Sequence, residues 1–308
     1  MKKQLYIYST LLIVAFIFHS CEDLEVVEEP DFEVAFNTTV KVGEPVNFKI
    51  NNAPDFLYFY SGDFQHQYKF KDRTKAKGKV TMSFLNSQKW GKGSNATETL
   101  SVWYSKDYDG SGTAEAVGSA SWTEITDRFN ISTLYDFTFQ SSGVVEITDL
   151  ADEDLIYFGF KYFSDNVTDR GAEWYFDDFT IKADVEGAPA PLTVANDNDP
   201  GFQTVDVQGI HTGWNRAKWY FDTGKKHWRM RGNSNKIVNE DWLITNAINL
   251  TKVSPDKGIA LKTYSEKLES FTYTYTEAGT YTVTFLGKNE TIHDKQEKNQ
   301  EFTITVTD

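Results

Sequence analysis

The chain has 308 residues, and its 45 Asp and Glu exceed its 31 Lys and Arg, which leaves a formal net charge of −14 at pH 7. Binding to nucleic-acid phosphates requires a concentrated basic face, and no basic cluster stands out here, so nucleic acid is not an expected partner. Aromatic residues make up 15% of the chain, a high share that is typical of β-sandwiches and also of sugar-binding surfaces.

Residues 1–20 have the pattern of a lipoprotein signal peptide. Lys2 and Lys3 precede an apolar run over residues 11–18, which is too short to span a membrane. Ser20 and Cys21 follow, and Cys21 is the one cysteine in the sequence, so it cannot form an internal disulfide. We therefore predict cleavage before Cys21 and lipidation of its side chain. The alternative is an ordinary secretory signal followed by a chance cysteine.

Residues 21–30 are predicted to form an acidic tether, with the sequence CEDLEVVEEP. Acidic residues directly behind a lipidated cysteine resemble the export signal of Bacteroidetes lipoproteins. That resemblance implies a protein held on the outer membrane by its lipid anchor only and facing the cell exterior. A solvated linker of the same composition is the alternative.

Two stretches after the tether indicate strands of a β-sandwich. Residues 40–48 read VKVGEPVNF, and residues 56–63 read FLYFYSGD. Both stretches resemble the opening strands of a PKD-type immunoglobulin-like domain. A complete sandwich needs further strands, and the matching ones are found only near the end of the chain.

Residues 75–255 contain many short predicted strands and no long helical period, which favours a two-sheet jelly roll. The predicted strands are residues 80–85, 100–104, 121–125, 155–162 and 172–181. A polar loop is predicted over residues 86–95. Strand sequences such as LSVWYS and EWYFDDFTI resemble the choice-of-anchor and MAM-like jelly rolls.

The order of segments in this jelly roll differs from that of the folds it resembles. A segment like residues 241–250 (DWLITNAINL) usually comes first in them but follows EWYFDDFTI here, as in a circular permutation. The proline-containing residues 187–191 and the polar residues 195–201 are predicted surface connections. A domain boundary near residue 187 is the alternative for the first of them.

Candidate catalytic and metal-binding motifs are weak. The histidines show no HxH or HExxH spacing and there is no GxSxG motif, so we expect no enzyme and no zinc site. Residues 107–112 (DYDGSG) begin like a calcium loop but lack a third ligand and a downstream glutamate, which favours an acidic turn. Asp177 and Asp178 differ, because related jelly rolls can hold a structural calcium beside this strand. That resemblance makes these two residues candidate ligands of a structural calcium, but the residues that would complete its shell cannot be picked out from the sequence.

The tryptophans divide into two predicted groups. We expect Trp122, Trp174 and Trp242 to lie inside strands and to pack in the core. We predict ligand contacts for four aromatic residues that are interleaved with polar or cationic residues, namely Trp90, Trp214, Trp219 and Tyr220. Such rings can stack on a sugar while the neighbouring side chains hydrogen-bond its hydroxyls. The alternative is an amphipathic strand pair whose rings are covered by cationic stems.

The end of the chain supplies the remaining strands of the first sandwich. Residues 271–285 (FTYTYTEAGTYTVTF) alternate on both sides of a glycine-containing turn, which predicts an antiparallel hairpin, and residues 301–307 (EFTITVT) predict a last strand. Their closing pattern also resembles a PKD-like domain. We therefore predict one sandwich split between residues 31–74 and 256–308, with residues 75–255 inserted as a second domain.

The chain also resembles a Bacteroidetes lipoprotein family called domain of unknown function 5017. The residues that carry this resemblance are Tyr58, Tyr60, Ser61, Gly62, Asp63, Tyr68 and Arg73. The expected fold is all-β, a discontinuous PKD/Ig-like sandwich with an inserted jelly roll. The expected function is non-catalytic binding of an oligosaccharide or polysaccharide at the cell surface, beside or in complex with an outer-membrane sugar transporter. The alternative is an adhesin or assembly subunit that binds protein.

Overall fold

A computed structural model describes residues 26–89, 99–152, 154–165, 171–209, 212, 217–232 and 237–308. The predicted signal peptide, Cys21, Trp90 and Trp214 lie outside these residues. The described chain is almost entirely β-structure, which confirms the predicted all-β class. No helix within the described ranges is long and apolar enough to cross a membrane.

The strands are numbered in chain order. They are β1 (Glu33–Ala35), β2 (Thr39–Lys41), β3 (Pro45–Asn51), β4 (Phe56–Tyr60), β5 (Val80–Lys89), β6 (Thr99–Ser105), β7 (Thr123–Glu124), β8 (Gln140–Ser141), β9 (Val145–Glu146), β10 (Tyr157–Ser164), β11 (Glu173–Ala183), β12 (Leu192–Asn196), β13 (Phe202–Gln208), β14 (Trp219–Asp222), β15 (His227–Met230), β16 (Asn239–Thr245), β17 (Ile259–Lys262), β18 (Ser270–Thr274), β19 (Gly279–Glu290) and β20 (Lys295–Thr307). The α-helix α1 (Ala114–Ser119) begins after Thr113, whose hydroxyl accepts a hydrogen bond from the Ala116 amide. Single 3-10 turns occupy Tyr68–Phe70, Thr126–Arg128 and Thr148–Leu150.

Contacts divide the chain into two compact units. One combines Met1–Lys71 with Asp256–Asp308, and the other is Asp72–Pro255. The sequence predicts these boundaries after residues 74 and 255. The PKD-like and jelly-roll identities of the two units stay predictions.

Each sheet of the first unit combines strands from both ends of the chain. A three-stranded sheet has the order β1-β3-β18, and a five-stranded sheet has the order β17-β4-β19-β20-β2. Phe48, Phe59 and Phe285 pack between them at ring distances of 5.1–5.3 Å. The core of this unit is therefore built from segments more than two hundred residues apart in sequence.

The hairpin predicted over residues 271–285 is wrong. β18 pairs with β3, whereas β19 pairs with β4 and β20 in the other sheet. Apolar and polar residues alternate in both strands because both strands face the same core from opposite sides. This alternation alone therefore does not identify the strand with which each one pairs. The connection between the sheets is held by Tyr275, which is buried and donates its hydroxyl proton to the Ser61 carbonyl at 2.8 Å.

The second unit consists of two larger sheets. One has the order β13-β16-β10-β6-β7, and the other has β14-β15-β11-β5-β8 with β9 and β12 paired at its margins. Phe84 and Phe176 from the second sheet pack against Phe160 from the first at 5.2 and 4.3 Å. Trp174 lies in this core, as predicted.

Two predicted features of the second unit are wrong in detail. β5 runs on to Lys89, four residues into the predicted polar loop. Both ends of the buried Asn86 amide hydrogen-bond the backbone of residues 130 and 132, and Gln88 Nε2 donates to the Ser132 carbonyl. Trp122 precedes β7 and is half-buried. Trp242 lies inside β16 and is 4% exposed, as predicted, and it packs in a second core cluster on the outer face of its sheet.

Candidate ligand-binding surface

The outer face of the seven-stranded sheet carries polar and aromatic side chains at the start of β11. Four successive residues at the start of this strand are buried. Trp174 and Phe176 belong to the core between the sheets. Because successive side chains of a strand point to opposite faces, Glu173 and Tyr175 lie on the outer face, where they are also buried.

The strand register places an arginine between two tyrosines on this face. Arg229 on β15 is opposite Tyr175 on β11 and also opposite Tyr220 on β14. Its guanidinium carbon is 5.5 Å from the centre of the Tyr175 ring and 5.9 Å from that of the Tyr220 ring. Both distances allow cation–π attraction, which favours the charged guanidinium in this position.

Glu173 fixes the orientation of that guanidinium. Its Oε2 atom accepts hydrogen bonds from Arg229 Nε at 3.1 Å and from Nη2 at 2.5 Å. The Tyr175 hydroxyl donates to the same oxygen at 2.9 Å. Burial, together with the charge and hydrogen bond of Glu173, raises the pKa of Tyr175, so this hydroxyl keeps its proton at neutral pH.

A loop before β8 extends the surface with two phenylalanines. The Phe137 ring lies 4.3 Å from the Tyr175 ring, and the Phe139 ring lies 5.7 Å from that of His227. Phe137 is 37% exposed. Burial lowers the pKa of His227, which leaves its imidazole neutral near pH 7.

Phe137, Tyr175, Arg229 and Tyr220 thus form one continuous row, which we name the aromatic strip. Phe137 is exposed and Tyr220 is half-buried at its two ends, whereas Tyr175 is buried in the middle. The strip offers ring faces, guanidinium N–H donors and the nearby Asp222 carboxylate, 3.9 Å from Arg229. These groups can bind a ligand with apolar and hydroxyl-bearing faces. They contain no activated nucleophile or acid–base pair for catalysis.

Of the four predicted ligand contacts, the described residues include two, and only Tyr220 lies on this surface. The prediction for Trp219 is wrong, since its ring is 1% exposed and packs in the core between the sheets. Trp219 pairs with Met230, also in the core, while its neighbour Tyr220 pairs with the outward-facing Arg229. Trp90 and Trp214 lie outside the described residues.

Sequence reasoning missed the residues that complete the strip. Arg229 is interpreted only as a neighbour of the aromatic residues, although its spacing of two from His227 places both on one face. Tyr175 is next to the core residue Trp174 in a run of buried residues, so the sequence does not show on which face of the sheet its side chain lies. Phe137 lies on an irregular loop, where no periodicity indicates a contact partner.

Asp177 and Asp178, the predicted calcium ligands, lie at a bulge in β11. Asp177 is half-buried and Asp178 is exposed. Burial, followed by the charges of these two residues, raises the pKa of the nearby Asp197 to about 6. Within the part of the chain that the structure describes, no group of three or more His, Cys, Asp or Glu side chains is arranged to hold a metal. The calcium stays a prediction.

Comparison with known proteins yields a family but no named relative. No curated protein and no solved structure matches the chain. A family model described as Domain of unknown function (DUF5017) matches residues 20–202, which is more than half of the chain. The chain therefore belongs to the DUF5017 family.

Proposed function

We propose that this protein is a non-catalytic, lipid-anchored surface protein that binds a glycan beside an outer-membrane sugar uptake system. The observation that carries the proposal is the aromatic strip. A pyranose ring presents a C–H face that packs on aromatic rings and hydroxyls that need donors and acceptors. Phe137 and Tyr220 offer the first kind of contact, and Arg229 with Asp222 offers the second.

The strip is organised before any ligand arrives. Arg229 is held by Glu173 and lies between two tyrosine rings, so little of its side-chain entropy remains to be lost on binding. The formal net charge of −14 disfavours strongly anionic ligands. An uncharged oligosaccharide or polysaccharide is therefore the ligand class that fits best.

The alternative function, an adhesin or assembly subunit, would use an exposed sheet edge. β2 pairs with β20 only at Thr305–Thr307, and no other described strand covers the rest of that edge. Charged residues alternate along it, at Lys295, Glu297 and Glu301 among others. Charges of this kind discourage the addition of a further strand, which favours glycan binding over β-strand pairing.

Removal of the two accessible rings is expected to abolish most glycan binding by the strip. Tyr220→Ala and Phe137→Ala should each raise the dissociation constant about 30-fold, because a few aromatic anchors dominate such surfaces and each contributes about 2 kcal/mol. Arg229→Lys should also weaken binding, since lysine keeps the charge but loses the planar fork of donors. A glycan array followed by calorimetry on the purified mature protein measures these changes.

The control is Tyr264→Ala, which removes a ring that is 68% exposed in the other unit and should leave affinity unchanged. Melting temperatures must stay close to that of the wild type, so that lost binding reports lost contacts. A wild-type protein that binds none of the arrayed glycans would refute the proposed function. Unchanged affinity in all three strip variants would refute the strip as its site.

Cys21→Ala is expected to release the protein from the outer membrane. Lipidation of this cysteine would be the anchor, and tethering would raise the effective concentration of captured glycan near a transporter. Fractionation should find the variant uncleaved or in the soluble fraction, with Ser20→Ala as the control that keeps a small residue before the cysteine. Protease added to intact cells should digest the wild type. Digestion only after lysis would instead indicate a periplasmic orientation.

A further inference from the structure

A second aromatic surface lies on the outer face of the β13-β16-β10-β6-β7 sheet, in the same unit as the aromatic strip. Trp103 on β6 and Trp122 before β7 both lie beside Trp242 on β16, at ring distances of 6.0 and 4.7 Å. Trp103 and Trp122 are half-buried, so part of each ring is accessible to solvent. The proposed function makes no use of these three residues.

A glycine lets the rings lie directly on the sheet. Gly159 on β10 is beneath them, and a Cβ atom at this position would be 2.8 Å from the Trp242 ring and 3.0 Å from the Trp122 ring. Any larger residue would therefore push the indoles away from the strand. The close approach gives the Trp122 and Trp242 rings a defined position on the sheet.

The indole N–H groups are all bonded within the unit, which fixes the ring orientations. Their acceptors lie at 2.8–3.1 Å and are Ser101 Oγ for Trp103, the Val117 carbonyl for Trp122 and Glu240 Oε1 for Trp242. A ligand would consequently meet the faces of the half-buried Trp103 and Trp122 rings and not their polar edges, whereas Trp242 is buried and packs against both. Fixed ring faces are the arrangement that stacking on a sugar requires.

An ion pair lies among the rings. Lys161 Nζ is 3.1 Å from Glu240 Oε2, and the two side chains are 21% and 20% exposed. The same ammonium is 5.8 Å from the Trp103 ring centre and 5.4 Å from that of Trp242. Hydrogen-bond donors and acceptors therefore stand directly beside the aromatic faces.

The charges of this surface identify the class of ligand. A bound anion would meet Glu240, and a bound cation would meet Lys161, so either would disturb the pair. Sugar hydroxyls, in contrast, can accept from the ammonium and donate to the carboxylate at the same time. An uncharged polyhydroxyl ligand satisfies both partners, and its C–H face can cover the indoles.

We propose that this face, formed by Trp103, Trp122, Lys161 and Glu240, is a second binding surface for an uncharged pyranose glycan. The inference takes its ligand class from the proposed function but uses a different set of residues. Two surfaces on the opposite outer faces of one unit would let the protein hold a polysaccharide at two points. Long chains should then bind more tightly than short oligosaccharides of the same sugar.

The test measures binding of purified mature protein to soluble mixed-linkage β-glucan, xylan, galactomannan and amylopectin by affinity gel electrophoresis and calorimetry. Trp103→Ala and Lys161→Met should each raise the dissociation constant for a bound polysaccharide at least tenfold. Lys161→Met keeps an unbranched stem to pack on the rings, so it removes the donor without opening a gap. Tyr264→Ala is the matched control, and circular dichroism verifies that each variant is folded.

The outcomes separate this surface from the aromatic strip. A loss of affinity in the Trp103 and Lys161 variants, whatever the strip variants do, supports the second surface. Binding that falls in Tyr220→Ala but is unchanged in both of these variants overturns it and leaves the proposed function intact. No binding to any of the four polysaccharides overturns the second surface, whereas binding to none of the arrayed glycans refutes the proposed function as well. A dimer that Trp103→Ala dissociates would show that a second copy of the chain covers this face, which also overturns the inference.

Discussion

Trp219→Ala is expected to lower the free energy of unfolding of the second unit by about 3–5 kcal/mol. The indole is almost completely buried and belongs to the core between the two sheets. Its removal deletes the transfer free energy of a large ring and leaves a cavity that the rigid strands around it can fill only in part. Few other single substitutions in this unit remove as much buried volume.

The matched control is the next residue of the same strand. Tyr220→Ala removes a half-buried ring from the outer face and should cost only about 1 kcal/mol. Urea denaturation of both variants, monitored by circular dichroism, provides the comparison. Equal losses of stability would contradict the assignment of these neighbours to opposite faces of the sheet, and with it the composition of the aromatic strip.

A rise in pH from 5 to 9 is expected to destabilise the second unit through Asp241. Burial, reinforced by the charges of Asp206 and Glu240, raises the pKa of this carboxyl group from 3.8 to about 8, although Asn239 donates a hydrogen bond that opposes the shift. In the unfolded chain the same group loses its proton near pH 4. The folded state therefore keeps a proton that the unfolded state has released.

The sign of the effect follows from this difference. Stability linked to the Asp241 proton is fully present below about pH 4 and is lost as the pH rises through about 8. Each pH unit within that window removes up to about 1.4 kcal/mol. Asp197, whose pKa is raised to about 6, acts in the same direction but only up to that pH.

Asp241→Asn should flatten the dependence of stability on pH between 6 and 8, as measured by chemical denaturation at each pH. Asp197→Asn serves as the control and should flatten the dependence of stability on pH only below about pH 6. His227 acts in the opposite direction. Burial disfavours its charged form and lowers its pKa, so the unfolded chain binds a proton below about pH 6.5 that the folded chain does not bind, and stability falls as the pH falls. A full slope retained between pH 6 and 8 in Asp241→Asn would contradict the raised pKa.

Sequence patterns predict the fold class because alternation and the absence of a helical period are local properties. They also place Trp174 in the core, and they predict β5, β6, β7, β10 and β11 within a few residues. Strand partners are not local. β18 and β19 follow each other closely, yet they lie in different sheets, because burial on one face leaves the backbone partners of each strand undetermined.

The candidate surfaces show the same division between local and long-range information. The sequence by itself determines that tyrosine, tryptophan and cationic residues cluster between positions 214 and 229, and it determines membership of the DUF5017 family. Only the tertiary structure decides that Trp219 faces the core while Tyr220 faces outward, since this depends on the register with β15. Only the tertiary structure brings Phe137 to Tyr175 and Trp103 to Trp242. These contacts join residues far apart in sequence, and pairing across the sheets creates them.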